Sequence, residues 1–205
     1  MGELIDVVPA LQTEEMARAR PHVDRVRAEL AAADLLEALG VDLSAEEVMD
    51  TPRRVARMYE ELLTPPPFNP TTFSNDAGYD EMVLVRDIRF TSLCAHHLLP
   101  FSGIAHVGYL PGDRIIGLSK LARIVTHFAR SLQLQERLTK QVADWLHDEL
   151  EPRGVGVIIR AEHECMTIRG IQASGATTVT SMMHGLLRRN PASREEFLAL
   201  CGEKA

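Results

Sequence analysis

Apolar residues recur at helical spacing in two stretches of the first third of the chain. From residue 23 to residue 39, valines and leucines return every few positions, and Gly40 is placed to end that helix. A second helix is predicted to begin at Thr51, a favourable N-cap, with Pro52 at its first helical position. Consecutive prolines at 65–67 end it. The pattern therefore predicts two helices ahead of the rest of the chain.

After residue 80, apolar and polar residues alternate instead of recurring at helical spacing. Residues 82–93 and 103–110 alternate and are rich in valine, isoleucine and phenylalanine, which is typical of paired antiparallel strands. Residues 154–170 and 176–183 predict two further strands. The later part of the chain is thus expected to build a sheet.

Helical spacing returns between these two pairs of strands. Ser119 begins a long helical pattern that polar residues interrupt near Gln133, which fits either one kinked helix or two. A short helix is predicted near the C-terminus. The order of elements predicts an α+β protein with an antiparallel sheet and long helices on one face. We divide the chain into a flexible N-terminal arm at 1–22, a helical segment at 23–67 and a main domain at 68–205.

The composition is that of an ordinary globular protein, with 205 residues, 45% of them apolar, and a net charge of −7. Its sequence pI is near 5.6, and its basic residues form no stripe that would follow a nucleic acid backbone. No apolar stretch approaches the roughly 18 residues that a membrane span needs. Three cysteines are too few for a disulfide framework, so we expect the reducing cytoplasm, with neither nucleic acid nor membrane as partner.

The strongest chemical signal is a set of cysteines and histidines in two short motifs. Cys94 is followed by His96 and His97, and His163 and Cys165 come about seventy residues later. Two thiolates and one imidazole form a Cys₂His set, which leaves the fourth position on Zn²⁺ open for a water molecule. That open position is typical of catalytic zinc, because the metal lowers the pKa of the bound water. The alternative is that the thiols are simply buried in the core.

The predicted strand 154–170 would sharpen this arrangement. Successive side chains of a strand point to opposite faces, so His163, Cys165, Thr167 and Arg169 would share one face. An imidazole, a thiolate and a guanidinium in a row would suit metal-assisted attack on an anionic substrate.

Two further groups of polar residues have both a functional and an ordinary interpretation. Ser119, Lys120 and Arg123 begin the long helix, where backbone amides and basic side chains attract phosphate. Taken alone, they are more simply a helix cap with solvated charges. Gln135 and Glu136 could lie on an exposed helix face, or a carboxylate there could accept N–H groups of a guanine ring.

Several stretches together resemble the GTP cyclohydrolase I family, the zinc enzymes that open pterin and folate biosynthesis. They are the Cys-Ala-His-His motif at 94–97 and the segments 116–125, 135–139, 163–170 and 51–56. The similarity extends over most of the chain. It implies a tunnelling fold (T-fold) for the catalytic domain and a homodecamer of two stacked pentamers, with active sites between subunits.

The resemblance assigns the metal ligands and the proton-transfer groups. Cys94, His97 and Cys165 would hold zinc, which would activate the water that attacks C8 of guanine. His96 and His163 would move protons while the imidazole and ribose rings open. Formate would then be released.

The resemblance also assigns the contacts to GTP. Ser119 would assist the rearrangement of the sugar, and Glu136, helped by the backbone near Gln135, would anchor the guanine edge. The product would be 7,8-dihydroneopterin triphosphate. The triphosphate would be held by Lys120, Arg123 and Arg169, together with Arg54 from a neighbouring subunit.

One position departs from the family pattern, because Ala95 stands where the family usually has glutamate between the metal cysteine and the histidine pair. If that glutamate orients a metal ligand, its loss costs about 10–100-fold in metal affinity or activity. Two alternatives therefore stay open. The chain could open the ring of a related purine nucleotide and stop at a formamido intermediate, or it could be a purine- or pterin-binding T-fold protein without turnover.

Overall fold

The computed structural model describes residues 23–202, so the predicted arm at 1–22 lies outside the described residues. Two helices come first, as the apolar period predicts, and a sheet with further helices follows. The helices are α1 Arg25–Ala38, α2 Thr51–Leu63, α3 Leu118–Ala129, α4 Gln135–Leu150, α5 Glu164–Thr167, α6 Gly185–Arg189 and α7 Pro191–Cys201. The strands are β1 Thr72–Ser74, β2 Val83–Cys94, β3 Pro100–Leu110, β4 Arg114–Ile116, β5 Leu132–Gln133, β6 Gly154–His163 and β7 Thr178–His184.

The main sheet has the strand order β5-β2-β3-β6-β7. The long strands β2, β3, β6 and β7 pair antiparallel, and only the short β5 runs parallel to its neighbour β2. A separate two-stranded sheet joins β1 to β4. The α+β class with an antiparallel sheet is confirmed.

Helices α3 and α4 cover one face of the sheet and form the main core with it. Leu121 and Ile124 of α3 and Leu138 and Leu146 of α4 are fully buried there. On the opposite face, α6 and α7 form a smaller cluster around the fully buried Phe197. The long helices therefore lie on one face, as predicted.

The polar break near Gln133 separates two helices. The segment between α3 and α4 forms β5, which pairs Gln133 with Cys94 of β2. Backbone hydrogen bonding between strands thus replaces the helical turn that one kinked helix would need at this point. The end of β2 and the beginning of α4 are brought together by this pairing.

The apolar face predicted for the first helix is present but is not buried in the single chain. Val26, Leu30, Leu35 and Leu39 are each at least 60% exposed, and the buried residue of α1 is Ala32. Helix α1 packs against α2. Among residues 23–202, no helix combines the length and the apolar character needed to cross a bilayer.

Candidate active site

The loop between β2 and β3 is fixed to the sheet by its main chain. The N–H of Cys94 donates to the carbonyl of Leu99 at 2.8 Å, and the N–H of Leu98 donates to the carbonyl of Cys94 at 3.0 Å. The N–H of Ala95 donates to the carbonyl of Gln133 in β5, also at 3.0 Å. These bonds use backbone groups, so they form whatever side chain position 95 carries.

The predicted strand 154–170 is wrong in its second half. Strand β6 ends at His163, and the next residues form the helical turn α5, in which Ile168 donates to the carbonyl of Glu164 at 3.1 Å. The strand ends because its partners end: the register with β3 stops at Phe101↔His163, and the next residue of β3, Pro100, has no N–H to donate. Local helical bonds then satisfy the backbone.

This correction changes the geometry expected for the site residues. Because His163 is the last residue of a strand while Cys165 and Thr167 lie in a helical turn, they and Arg169 do not share one strand face. The turn nevertheless brings Cys165 back over the end of β2. Its Sγ lies 3.9 Å from the Sγ of Cys94.

The two thiols and the imidazole of His97 form a compact group of metal-ligand atoms. The Nδ1 of His97 lies 3.9 Å from the Sγ of Cys94, and all three ligand atoms lie within 4.8 Å of one another. Ligand atoms around a tetrahedral Zn²⁺ at ordinary bond lengths are separated by about 3.5–3.8 Å, so the group fits such an ion with little movement. Cys94 is buried and His97 is exposed. The group therefore has one protein-covered side and one side open to a ligand.

The electrostatic surroundings of Cys165 favour its protonated form when the chain holds no metal. Burial, followed by the adjacent Cys94 thiol, raises the pKa of Cys165, while the nearby charge of Arg169 acts in the opposite direction. A metal ion would reverse this preference, because it binds the thiolate.

His163 is held beside this group by contacts that the sequence did not reveal. Its ring stacks on the buried ring of Phe101, with centroids 4.6 Å apart and planes 5° from parallel. Its Nε2 lies 2.8 Å from the Oε1 of Gln135. Burial lowers the pKa of His163, while the negative charge of Glu136 opposes that shift. The neutral imidazole is therefore favoured over the cation.

Gln135 itself is 2% exposed, and its side chain points into the protein. The two N–H groups on Nε2 are shared among three acceptors, the carbonyls of Ile159 and Thr178 and the hydroxyl oxygen of Thr180, at N···O distances of 3.0–3.1 Å. The Gln135 side chain therefore has its hydrogen-bond partners inside the protein, and the substrate contact predicted near this residue stays a prediction for its backbone. The next residue, Glu136, is exposed in the first turn of α4.

The residues predicted to bind phosphate at the start of α3 lie away from the thiols in the single chain. The C-terminal end of α3 is tied to β2 near Cys94, because the hydroxyl of Ser92 donates to the carbonyl of Ala129 at 2.6 Å. Ser119 lies ten residues earlier, about 15 Å along the helix axis. The helix begins at Leu118 with Gly117 as its N-cap, so Ser119 is not the cap residue.

The basic side chains predicted to hold the triphosphate differ in their contacts and in their exposure. Lys120 donates to the carbonyl of Asn69 at 2.6 Å, and Arg123 is exposed on α3. Arg169 donates to the carbonyl of Cys165 at 3.4 Å, so it lies beside the metal-ligand group. Arg54 and His96 are exposed.

Helix α2 also contacts the loop that carries the histidine pair. The hydroxyl of Tyr59 donates to the carbonyl of Leu98 at 3.2 Å. Leu98 has a φ of 56°, which is uncommon for a bulky residue. No spacing in the sequence signals this contact, because the two residues belong to separate elements.

The fold and this site define a class of protein: an α+β domain whose sheet carries, at one end, a Cys₂His group suited to a catalytic metal and an adjacent oriented imidazole. The sequence profile of the GTP cyclohydrolase I family matches residues 28–202. The chain belongs to the GTP cyclohydrolase I family, which confirms the resemblance drawn from the motifs.

Individual relatives agree over nearly the whole described chain. GTP cyclohydrolase 1 of Aquifex aeolicus is 49% identical over 178 residues, which cover 87% of this chain and 97% of that protein. GTP cyclohydrolase 1 of Streptomyces avermitilis is 52% identical over 182 residues, covering 86% and 90%. GTP cyclohydrolase 1 of Rhodopirellula baltica is 47% identical over 192 residues, covering 90% and 83%.

Proposed function

We propose that this protein is a zinc-dependent enzyme that converts GTP and one water molecule into formate and 7,8-dihydroneopterin triphosphate. The observation that carries the proposal is the Cys94, His97 and Cys165 group beside the oriented ring of His163. Membership of the family and the names of relatives that are about half identical over most of the chain support it.

Cys94, His97 and Cys165 would hold the zinc ion. When bound, zinc supplies a Lewis acid that activates a water molecule for attack on the guanine ring. The exposed face beside His97 leaves room for substrate to approach. Two thiols this close together remain available for a metal in a reducing compartment, which supports a cytoplasmic location.

The protein side chains supply proton transfer and orientation. His163 accepts and returns a proton while the imidazole and ribose rings open, and the stacked Phe101 holds its ring plane. His96, exposed next to His97, is the second proton-transfer group. Glu136, exposed in the first turn of α4, accepts N–H groups of the guanine edge.

Some of the remaining contacts to GTP come from a second copy of the chain. Ser119 and Lys120 begin α3 about 15 Å from the end of the helix that lies near the metal-ligand group, so one chain does not bring them to its own site. The apolar face of α1 and the outer edge of β7, where Val179 is 52% exposed, offer surfaces for assembly. A decamer with sites between subunits, holding the triphosphate with Lys120, Arg123, Arg169 and Arg54, fits these observations.

Complementation between subunits tests this shared site. Cys165→Ala removes a metal ligand and Lys120→Ala removes a triphosphate contact, so each homo-oligomer should be inactive. Co-expressed chains should regain part of the activity if the two residues serve one site from different subunits, and light scattering should give the number of chains. Activity that stays absent in mixed oligomers would contradict a shared site.

The reaction itself is tested by incubating zinc-loaded protein with GTP and measuring formate together with the fluorescence of oxidised, dephosphorylated neopterin. Equal amounts of both products are expected. Formate without neopterin would show that the protein stops after ring opening. Neither product from a zinc-replete sample would favour another nucleotide or a binding role.

A further inference from the structure

We propose that Gln135 is a positioning residue that holds a hydrogen of the His163 ring on Nε2, so that Nδ1 is the ring nitrogen left to exchange a proton with substrate. The proposal rests on the proton-transfer role given to His163 above. It rests geometrically on the contact between Gln135 Oε1 and His163 Nε2 at 2.8 Å.

The orientation of the Gln135 amide is set by what surrounds it. Its nitrogen faces the carbonyl oxygens of Ile159 and Thr178, which can only accept hydrogen bonds. A reversed amide would place an oxygen against these two oxygens and leave a buried group unpaired, which is costly. The nitrogen therefore stays on that side, and Oε1 faces His163.

The hydroxyl groups beside the amide are oriented in the same way. Thr139 donates to the backbone carbonyl of Gln135 at 2.8 Å, so its proton is already used. The 2.6 Å contact between Thr139 and Thr180 then requires the Thr180 hydroxyl to donate. The Thr180 oxygen is left to accept from the amide nitrogen of Gln135. Each hydrogen bond in this closed circuit has one possible direction.

The consequence for the imidazole follows from chemistry alone. Because Oε1 can only accept, Nε2 of His163 must carry the hydrogen. A neutral imidazole has one N–H, so Nδ1 holds the lone pair. Stacking on Phe101 fixes the plane in which that lone pair lies. Gln135 thus selects the tautomer, and the fully buried Phe101 restrains the ring.

This role differs from direct substrate binding by the side chain. Both polar groups of the Gln135 side chain already have partners inside the protein, and the residue is 2% exposed. A substitution here should reach GTP through His163. Turnover should therefore fall while binding is kept, which is the kinetic pattern of a positioning residue.

Neutron diffraction from deuterium-exchanged, zinc-loaded crystals at about pH 8, where imidazoles are neutral, reads the tautomer directly. Deuterium is expected on Nε2 of His163, with the two Gln135 amide deuterons shared among the oxygens of Ile159, Thr178 and Thr180. Deuterium on Nδ1 alone, or a reversed amide, would overturn the proposal. No substrate is needed, so this result stands even if GTP is not converted.

Kinetics test whether Gln135 acts through His163. Gln135→Met keeps the volume but removes the acceptor, and it should lower kcat about 10–100-fold with KM for GTP within about threefold. In a His163→Ala background the same change should have no further effect, because the residue that it positions is gone. A raised KM with unchanged kcat, or an equal loss in both backgrounds, would refute the proposal.

A milder variant tests the same circuit in case Gln135→Met does not fold. Thr180→Val keeps Gln135 and removes one of its acceptors, so kcat should fall by a smaller factor while the zinc content stays unchanged. The matched control is Thr91→Val, which removes a 2.9 Å hydrogen bond to Ser102 elsewhere in the sheet. Equal kcat values for Thr180→Val and Thr91→Val would count against the circuit.

Discussion

The two ends of β6 differ in how their side chains are arranged: one end carries the candidate site, and the other packs against α7. At the His163 end the strand runs out of partners, and the side chains are arranged by hydrogen bonds and by one ring stack. Near the other end, Gly156 has no side chain, and the ring of Phe197 packs against the bare backbone. At one end, the loss of regular strand pairing frees side chains for the candidate site. At the other end, the missing side chain of Gly156 lets an aromatic ring pack closely, and this packing is expected to stabilise the fold. Substitutions should therefore separate turnover from stability along one strand.

The largest effect is expected from removing a thiol at the His163 end. Cys165→Ala leaves two potential metal ligands, so zinc should be lost and formate release should fall about 1,000-fold, because a metal supplies several kcal/mol to such a reaction. Zinc analysis and the formate assay measure this. Cys201→Ala is the matched control: that thiol lies in the cluster around Phe197, so its removal should lower the melting temperature and leave zinc content and activity intact.

The converse effect is expected at the other end of the strand. A Cβ added at Gly156 would lie 2.7 Å from the ring of Phe197, so Gly156→Ala should destabilise the protein by about 1–3 kcal/mol and lower its melting temperature by about 2–12 °C. The kcat of the folded protein should be unchanged. Adding Phe197→Leu should recover part of the loss if the ring is the cause. A kcat that falls in proportion to stability would argue against separate ends.

A pH series tests the thiol at the His163 end without a mutation. Burial and the neighbouring Cys94 thiol raise the pKa of Cys165, so zinc must displace a proton from it at neutral pH. Zinc affinity should rise with pH, by up to about tenfold per pH unit through this group. The metal-free protein should show the opposite trend: its raised thiol pKa stabilises the fold at low pH, and that contribution is lost as pH rises through the thiol range.

Competition with a zinc indicator between about pH 6 and pH 8 measures the affinity, and thermal melting of the metal-free protein measures stability. Cys165→Ala is the control for the metal-free protein, since it should flatten the pH trend in melting temperature. A zinc affinity independent of pH in the intact chain would contradict a protonated Cys165.

The smallest effect is expected from the contact between α2 and the loop of the histidine pair. Tyr59→Phe removes the hydroxyl that donates to the carbonyl of Leu98, and this exposed bond should contribute about 0.5–1.5 kcal/mol. Activity should stay within about threefold, because the main-chain bonds of Cys94 and Ala95 still hold the loop. Tyr79→Phe is the control, because Tyr79 is 49% exposed and its main chain is hydrogen-bonded to Asn75, outside the loop of the histidine pair. A large loss of kcat would show that α2 shapes the site.

Much of this architecture could be predicted from local sequence patterns. The two N-terminal helices and the antiparallel sheet depend on periodicity, which a sequence displays directly. Motif composition indicates two thiols with one imidazole, and the choice of His97 as that imidazole came from the family resemblance. The end of β6 at His163 could not be predicted in this way. It depends on Pro100 lying opposite the next position, and register is a property of the folded sheet.

The side-chain role of Gln135 was hidden for a similar reason. Its acceptors belong to β6 and β7 and lie more than twenty residues after Gln135 in the chain, so neither periodicity nor spacing connects them. The exposed apolar face of α1 shows the converse limit. Its helical period predicts the helix correctly, but period alone does not say whether the surface that covers those side chains belongs to the same chain.

The hydrogen-bond circuit around Gln135 also connects proton chemistry with the outermost strand of the sheet. Thr178 and Thr180 belong to β7, the strand that forms one edge of the sheet in the described part of the chain. Only one residue, Gln135, separates that edge from the imidazole. The orientation of His163 therefore depends on an edge strand as well as on the residues of the site itself. The precision of the imidazole is in this sense a property of the whole sheet up to its edge.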